Sequence, residues 1–179
     1  MGKGANFSSP LRIDGVTVVD ESGNLVGDIT AGAGSIGSDE IADSVLKVKK
    51  VTLTADEIVG TAAGDVGHAN GAILVAAEAG KVHEFVSAVL SYNFDTAAYT
   101  GGGDDNVIQQ GTTAVSAAIA GADLLKDTED DIVFVSALSA ADIKLTANSA
   151  LALAGTALTQ PGEAAGTLDV FITYRVHTL

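Results

Sequence analysis

Residues 167–179 read TLDVFITYRVHTL, and this stretch decides the fold. Every second side chain is apolar, and successive side chains of an extended strand point to opposite faces of a sheet. The apolar residues that share one face are Leu168, Val170, Ile172, Tyr174 and Val176. Polar or charged residues dominate the opposite face, so the pattern predicts a half-buried strand of an antiparallel sheet.

Residues 81–95 predict a second long strand with two unlike faces. One face is mostly apolar and holds Val82, Glu84, Val86, Ala88, Leu90, Tyr92 and Phe94; the mixed face holds His83, Phe85, Ser87, Val89, Ser91 and Asn93. Isolated apolar residues on the mixed faces of the two strands are covered either by another subunit or by a loop or helix of the same chain. The candidates for a trimer interface are therefore Phe85, Val89 and Phe171.

Shorter β-prone runs between Gly and Asp predict further strands at residues 51–53, 72–77, 106–110, 131–138, 143–145 and 149–153. The capping-box spacing of Thr54 and Glu57 predicts a short helix through Val59. A second short helix is predicted over residues 120–126. About eight strands in this arrangement predict an all-β fold, an antiparallel β-sandwich of jelly-roll type with an extended N-terminal arm.

The arm, residues 1–47, is rich in Gly, Ser and Asp and has too few apolar residues to bury a core. Such a segment orders against a partner. We therefore predict an attachment arm followed by a β-sandwich body, residues 48–179. Within the arm, residues 16–26 predict a hairpin or a pair of extended ribbons around Ser22-Gly23-Asn24. The arm residues predicted to bind the partner are Leu11, Ile13, Val16, Val18, Leu25, Ile29, Ile36 and Ile41.

The charge of the chain narrows the class of partner. The net charge is −14, and residues 51–179 hold four Lys or Arg against sixteen Asp or Glu. Such a surface repels phosphate, so neither nucleic acid nor an anionic membrane is an expected partner. There is no cysteine, no apolar run of membrane-spanning length and no signal-peptide layout at the first residues.

Lys47, Lys49 and Lys50 form a basic cluster at the junction of arm and body. Two interpretations stay open. The lysines either bind an acidic partner or guard a solvated edge strand against unwanted pairing.

No motif predicts an enzyme or a cofactor. Gly32, Gly34 and Gly37 have the spacing of a dinucleotide fingerprint, but no buried strand precedes them and no βαβ pattern follows. His68, His83 and His177 lack metal-binding spacing and are expected to be ordinary polar side chains. Weak candidates for a cation site lie in two acidic loops, at Asp104, Asp105, Asp127 and Asp130; a solvated loop is the alternative.

The order of segments resembles a family. LTADEIVG, GKVHEFVSAVLSYNFDTAAYTGGGDD, AIAGADLLKDTEDD and VFITYRV follow one another as in the head decoration, or cement, proteins of tailed bacteriophages. The resemblance covers most of residues 48–179. The arm is similar to N-terminal segments that grip the capsid in such virion proteins.

The resemblance implies a structural virion protein without enzymatic activity. It implies a homotrimer on the outer surface of the capsid, with the major capsid protein as its partner. Two other classes remain as alternatives: a head- or tail-fibre module that binds a receptor or carbohydrate, and a cupin-like enzyme. Exposed aromatic residues would favour the fibre module, and the candidates are Tyr92, Phe94 and Tyr99. Clustered His and carboxylate ligands would favour the enzyme.

Overall fold

The computed structural model describes residues 11–13, 16–19, 45–101, 105–120, 124–138, 145–156, 158–159 and 166–179. The chain divides into two compact units, Met1–Ile41 and Ala42–Leu179. The division falls six residues before the expected boundary at residue 47, and the first strand of the second unit begins at Lys47.

The first unit contains an antiparallel hairpin of β1 (Leu11–Ile13) and β2 (Val16–Val19). The pairing of Ile13 with Val16 leaves only Asp14 and Gly15 to link the strands. The hairpin predicted around Ser22-Gly23-Asn24 lies outside the described residues and stays a prediction. Asp-Gly between two apolar runs is among the strongest short hairpin signals in a sequence, and the sequence analysis did not use it.

The second unit consists of two antiparallel sheets. The four-stranded sheet has the order β3-β11-β5-β9, and the five-stranded sheet has the order β4-β10-β6-β7, with β8 also pairing with β6. The strands of the first sheet are β3 (Lys47–Leu53), β5 (Lys81–Asn93), β9 (Asp131–Ser136) and β11 (Thr167–Thr178). Those of the second are β4 (Ala72–Val75), β6 (Asp105–Gln110), β7 (Thr113–Ala114), β8 (Ile119–Ala120) and β10 (Leu151–Ala154).

The connections confirm the predicted sandwich and its jelly-roll topology. From β3 to β6 the chain alternates between the sheets, and it alternates again from β9 to β11. This alternation places β11 between β3 and β5, and β10 between β4 and β6, which is the double Greek key of a jelly roll. One continuous apolar core joins the facing sheets, with Leu90 and Ile172 on one side and Ile108 and Leu153 on the other.

The face predictions succeed on β11 and fail on half of β5. All five alternating residues of β11 are buried. On β5 the register shifts where Thr173 pairs with Ser87 but Tyr174 pairs with Phe85. This bulge at Val86 inserts one residue and inverts the alternation, since the side-chain period of a strand is two. Phe85, predicted on the mixed face, is therefore buried in the core at 4% exposure.

The one helix of the described residues is α1 (Ala55–Val59). Its capping box is confirmed: the Thr54 hydroxyl accepts from the Glu57 backbone N–H, and the Glu57 carboxylate accepts from the Thr54 N–H at 2.8 Å. The helix predicted over residues 120–126 was wrong where it can be checked, because Ala120 ends β8 and 124–126 form a turn. No helix in the described ranges is long and apolar enough to cross a membrane.

The other predicted strands are found with small changes of their ends, except at residues 143–145. Residues 143 and 144 lie outside the described residues, and Leu145 is not part of a strand. The first strand of the body is longer than predicted, because it includes the three junction lysines.

Candidate interaction surface

The side of the four-stranded sheet that faces away from the core is here called the outer face. Its central row crosses all four strands in register: Lys50 on β3, Phe171 on β11, Val89 on β5 and Phe134 on β9. Directly paired residues of neighbouring strands lie on the same face of a sheet, so these side chains are neighbours. The row is apolar over three of its four positions.

The most exposed apolar residues of the outer face lie on its two edge strands. Val48 on β3 and Ile132 and Phe134 on β9 are each 69% exposed, and Phe171 in the centre is 38% exposed. Single exposed apolar residues are common on proteins. Here several of them lie on one face of a single sheet, with Phe171 and Phe134 in the same row, and this apolar patch is a candidate interaction surface.

Polar residues beside the row contact each other. The Lys50 ammonium lies 2.9 Å from a carboxylate oxygen of Asp169 and 5.4 Å from the ring centre of Phe171. The Thr52 hydroxyl donates to the same carboxylate. The Thr52 hydrogen bond, followed by that of Lys50, holds the pKa of Asp169 below its usual value. Asp169 is therefore ionised at neutral pH and keeps Lys50 over the aromatic ring.

A second polar group lies at the other end of the sheet. Glu84 accepts from Arg175 at 3.4 Å and lies 2.8 Å from the Nε2 of His177. These three side chains are between 33% and 41% exposed. Pairs this accessible contribute little to folding stability. They give the apolar row a polar margin.

Two of the three predicted interface residues lie on this surface. Val89 and Phe171 are adjacent members of the central row. Because of the bulge, Phe85 lies in the core, so its prediction as an interface residue was wrong.

Sequence reasoning missed Val48, Ile132 and Phe134. In β9 four apolar residues follow one another, so the sequence contains no alternation that would distinguish the inner from the outer face. Val48 lies between Lys47 and Lys49, and the sequence analysis interpreted this segment only by the charges of its lysines. Both segments lie on edge strands of the sheet. That position would have indicated exposed side chains, but it is known only once the topology is known.

Half of the predicted arm residues lie on the hairpin. Leu11 and Ile13 belong to β1, and Val16 and Val18 belong to β2. Leu25, Ile29, Ile36 and Ile41 lie outside the described residues.

The aromatic candidates for carbohydrate binding are not exposed. Tyr92 and Tyr99 are 0% and 1% exposed, and Phe94 packs against the core beside Tyr92. The Tyr99 hydroxyl donates to the Gly166 carbonyl at 2.6 Å, whereas the buried Tyr92 hydroxyl has no hydrogen-bond partner among the described residues. These rings therefore stabilise the fold and cannot form an open stacking platform.

The acidic candidates serve local structure. Asp130 accepts from the Phe94 backbone N–H at 2.9 Å, and Asp127 accepts from the Thr128 N–H. Asp105 begins β6 in the other sheet, and Asp104 lies outside the described residues. Within the described ranges, no group of three or more His, Asp or Glu side chains is close enough together to hold a metal ion.

The three histidines lie in different environments. His68 accepts from the Asn70 N–H in a loop, and His177 contacts Glu84 on the outer face. His83 is completely buried, 3.3 Å from the Ser149 carbonyl and edge-on to Tyr174. The structure does not bring them together into one site.

No family model, curated protein or solved structure matches the chain.

Proposed function

We propose that this chain is a structural virion protein, a capsid decoration protein that binds the outer capsid surface as a homotrimer. The single observation that carries the proposal is the apolar row on the outer face of the four-stranded sheet. Such a surface fits a function in association, and the resemblance of the sequence to phage cement proteins supplies the partner and the number of subunits.

The outer face has the anatomy of a protein interface. An apolar centre, Phe171 and Val89, has ion-paired residues beside it, and aromatic side chains at an interface contribute most of the binding energy when they become fully covered. Lys50 and Asp169 already hold each other in place, so a partner would meet an ordered surface. Less conformational entropy is then lost on binding.

The charge of the body fits dense display on a particle. A net charge of −12 over residues 51–179 keeps neighbouring copies soluble and discourages contacts other than the specific one. The arm, with its hairpin, supplies further contacts to the capsid protein, since extended segments add to exposed sheet edges.

Capsids of the source phage that lack this protein provide the test. The full chain is added, and the copies bound per capsid and the temperature of capsid disruption are measured. We expect saturable binding in multiples of three and a higher disruption temperature. Absence of binding, or equal binding to unrelated capsids, would refute the proposal.

A matched pair of variants locates the surface. Phe171→Ser removes a side chain that is 38% exposed in the centre of the outer face, and Ile73→Ser removes one that is 51% exposed on the other sheet. We expect Phe171→Ser to reduce capsid binding at least tenfold and Ile73→Ser to leave it unchanged. Equal effects of the two substitutions would mean that the outer face is not the relevant surface.

A further inference from the structure

We propose that the trimer forms head to tail through the two edges of the four-stranded sheet, with β9 of one copy pairing antiparallel with β3 of the next. The inference rests on the proposed homotrimer and names the contact that builds it. Each copy contributes one edge of each kind, so every edge of this sheet is paired in a closed ring.

Strand direction permits this contact. Each neighbouring pair in the sheet is antiparallel, from β3 to β11, from β11 to β5 and from β5 to β9. Because the sheet has four strands, its two edge strands run in opposite directions. A rotation about an axis along the strands keeps their directions, so β9 of one copy meets β3 of the next as an antiparallel neighbour.

The free backbone groups also match. The Ser136 carbonyl accepts from the Ala117 N–H, which places it on the side of β9 away from β5. Backbone groups alternate in direction along a strand, so those of Phe134 and Ile132 face the same side of β9, which no strand of the described residues pairs with at these two positions. The same alternation, followed across the sheet, turns the groups of Val48 and Lys50 to the side of β3 that no described strand pairs with. The Asp131 carboxylate meanwhile accepts from the Ile132 N–H at 2.7 Å in the single chain.

One register satisfies the side chains of both edges. When Ile132 is placed opposite Val48, two apolar residues that are each 69% exposed cover one another. Two positions along, Phe134 meets Leu46, which is 50% exposed. Asp131 then lies opposite Lys49, on the face that carries the core residues.

In the same register Asp130 lies opposite Lys50 on the outer face. The side chain of Lys50 is 51% exposed although it contacts Asp169, so a second carboxylate has access to it. Opposite charges at directly paired positions stabilise a sheet, and like charges destabilise it. The two edges thus present two apolar pairs and two pairs of opposite charge in a single alignment.

The lysines select this partner over a symmetric one. Pairing β3 with β3 of a second copy would oppose a lysine-rich strand to itself, and such charges guard edges against self-pairing. Both earlier interpretations of the lysine cluster therefore hold together: the lysines prevent β3 from pairing with itself and bind the acidic edge of the next copy. A contact between two different edges cannot form a two-fold dimer; it forms a ring when the rotation between copies closes, and a threefold rotation closes it into the proposed trimer.

Cysteine cross-linking tests the contact in the full chain, which has no cysteine of its own. Paired residues of antiparallel strands have Cα atoms about 4.5 to 5.5 Å apart, within the range of a disulfide. Under mild oxidation we expect Val48→Cys/Ile132→Cys to give a covalent trimer on a non-reducing gel. Each single variant is expected to stay uncross-linked, and an equimolar mixture of the two is expected to cross-link.

The control variant Thr52→Cys/Ile132→Cys keeps one cysteine on each edge but moves them about 13 Å out of register, at about 3.4 Å per residue. It should not cross-link. Dimers from a single-cysteine variant would reveal a two-fold contact and overturn the inference. A wild-type trimer in which the paired variant fails to cross-link would also overturn it and leave the proposed function intact. A wild-type chain that stays monomeric would overturn both.

A charge exchange provides an independent readout. Lys49→Asp and Asp131→Lys each place like charges opposite one another, so each should raise the dissociation constant of the trimer at least tenfold. The double variant restores opposite charges and should recover most of the loss. Lys49→Arg should behave like the wild type. Additive effects of the two exchanges, without recovery, would contradict the pairing.

Discussion

The inner and outer faces of the four-stranded sheet belong to the same strands but differ in what covers their side chains. On the inner face Leu90 and Ile172 are completely buried against the other sheet. On the outer face Phe134 and Ile132, side chains of similar apolar character, are 69% exposed. The difference separates two contributions: the inner face stabilises the fold of one chain, and the outer face is available to stabilise an assembly.

The largest expected effect lies on the inner face. Ile172→Ala deletes three carbon atoms from the centre of β11 and leaves a cavity, which should lower the free energy of unfolding by about 2 to 5 kcal/mol. Urea denaturation of dilute protein measures it. Thr173→Ala, the next residue along and on the outer face, serves as the control and should change the free energy of unfolding by less than about 0.5 kcal/mol. Similar losses for the two variants would remove the distinction between the faces.

The next effect belongs to the outer face and should appear in association. Ile132→Ser exposes no new surface in the single chain, so the free energy of unfolding in dilute protein should change by less than about 1 kcal/mol. The dissociation constant of the trimer should rise at least tenfold, which corresponds to about 1.4 kcal/mol. Sedimentation at several concentrations gives this constant. A variant that is strongly destabilised but assembles normally would contradict the account.

A second comparison within the buried side of the body involves two tyrosines. Tyr99→Phe leaves the buried Gly166 carbonyl without its 2.6 Å hydrogen bond and should cost about 1 to 3 kcal/mol of folding stability. Tyr92→Phe removes a hydroxyl for which the described part of the chain provides no hydrogen-bond partner, and it should be neutral or slightly stabilising. Thermal unfolding of both variants checks the order, and a greater loss for Tyr92→Phe would show that its hydroxyl has an undetected role.

Prediction from the sequence was most accurate for a strand in which apolar and polar residues alternate and each face keeps the same surroundings along the whole strand. The terminal strand β11 is such a case, and its faces are confirmed. The sequence failed at Val86, because one inserted residue inverts a face without changing the composition of the strand. It also failed on β9, where apolar residues are consecutive and only the topology decides which of them remain exposed.

The candidate interaction surface on the outer face was predicted only in part, because it too depends on the sheet topology. Val89 and Phe171 could be recognised as apolar interruptions of a polar pattern. Their alignment into a row with Lys50 and Phe134 depends on the register of four strands that are far apart in the chain. Registers of that kind are fixed by the packed core and cannot be derived from local periodicity.

The smallest expected effect concerns alkaline pH. Burial raises the pKa of Tyr92, Tyr99 and Tyr174 above the ordinary value near 10. Above pH 10 the unfolded chain loses these protons first, so the folded state binds more protons and the free energy of unfolding falls as pH rises. All three rings are buried in the body, so this dependence belongs to the folding of the single chain. Denaturation series at pH 8, 10 and 11 test it. A rise of stability with pH would have the wrong sign.

Light scattering of the wild-type chain at micromolar concentration tests the central claim most directly, with Ile132→Ser and Ile73→Ser measured beside it. The account predicts a mass three times that of the 17.8 kDa chain for the wild type and for Ile73→Ser, and a lower mass for Ile132→Ser. A mass of one chain for the wild type at every concentration, or a trimer that Ile132→Ser leaves unchanged, would contradict assembly through the two edges of the four-stranded sheet.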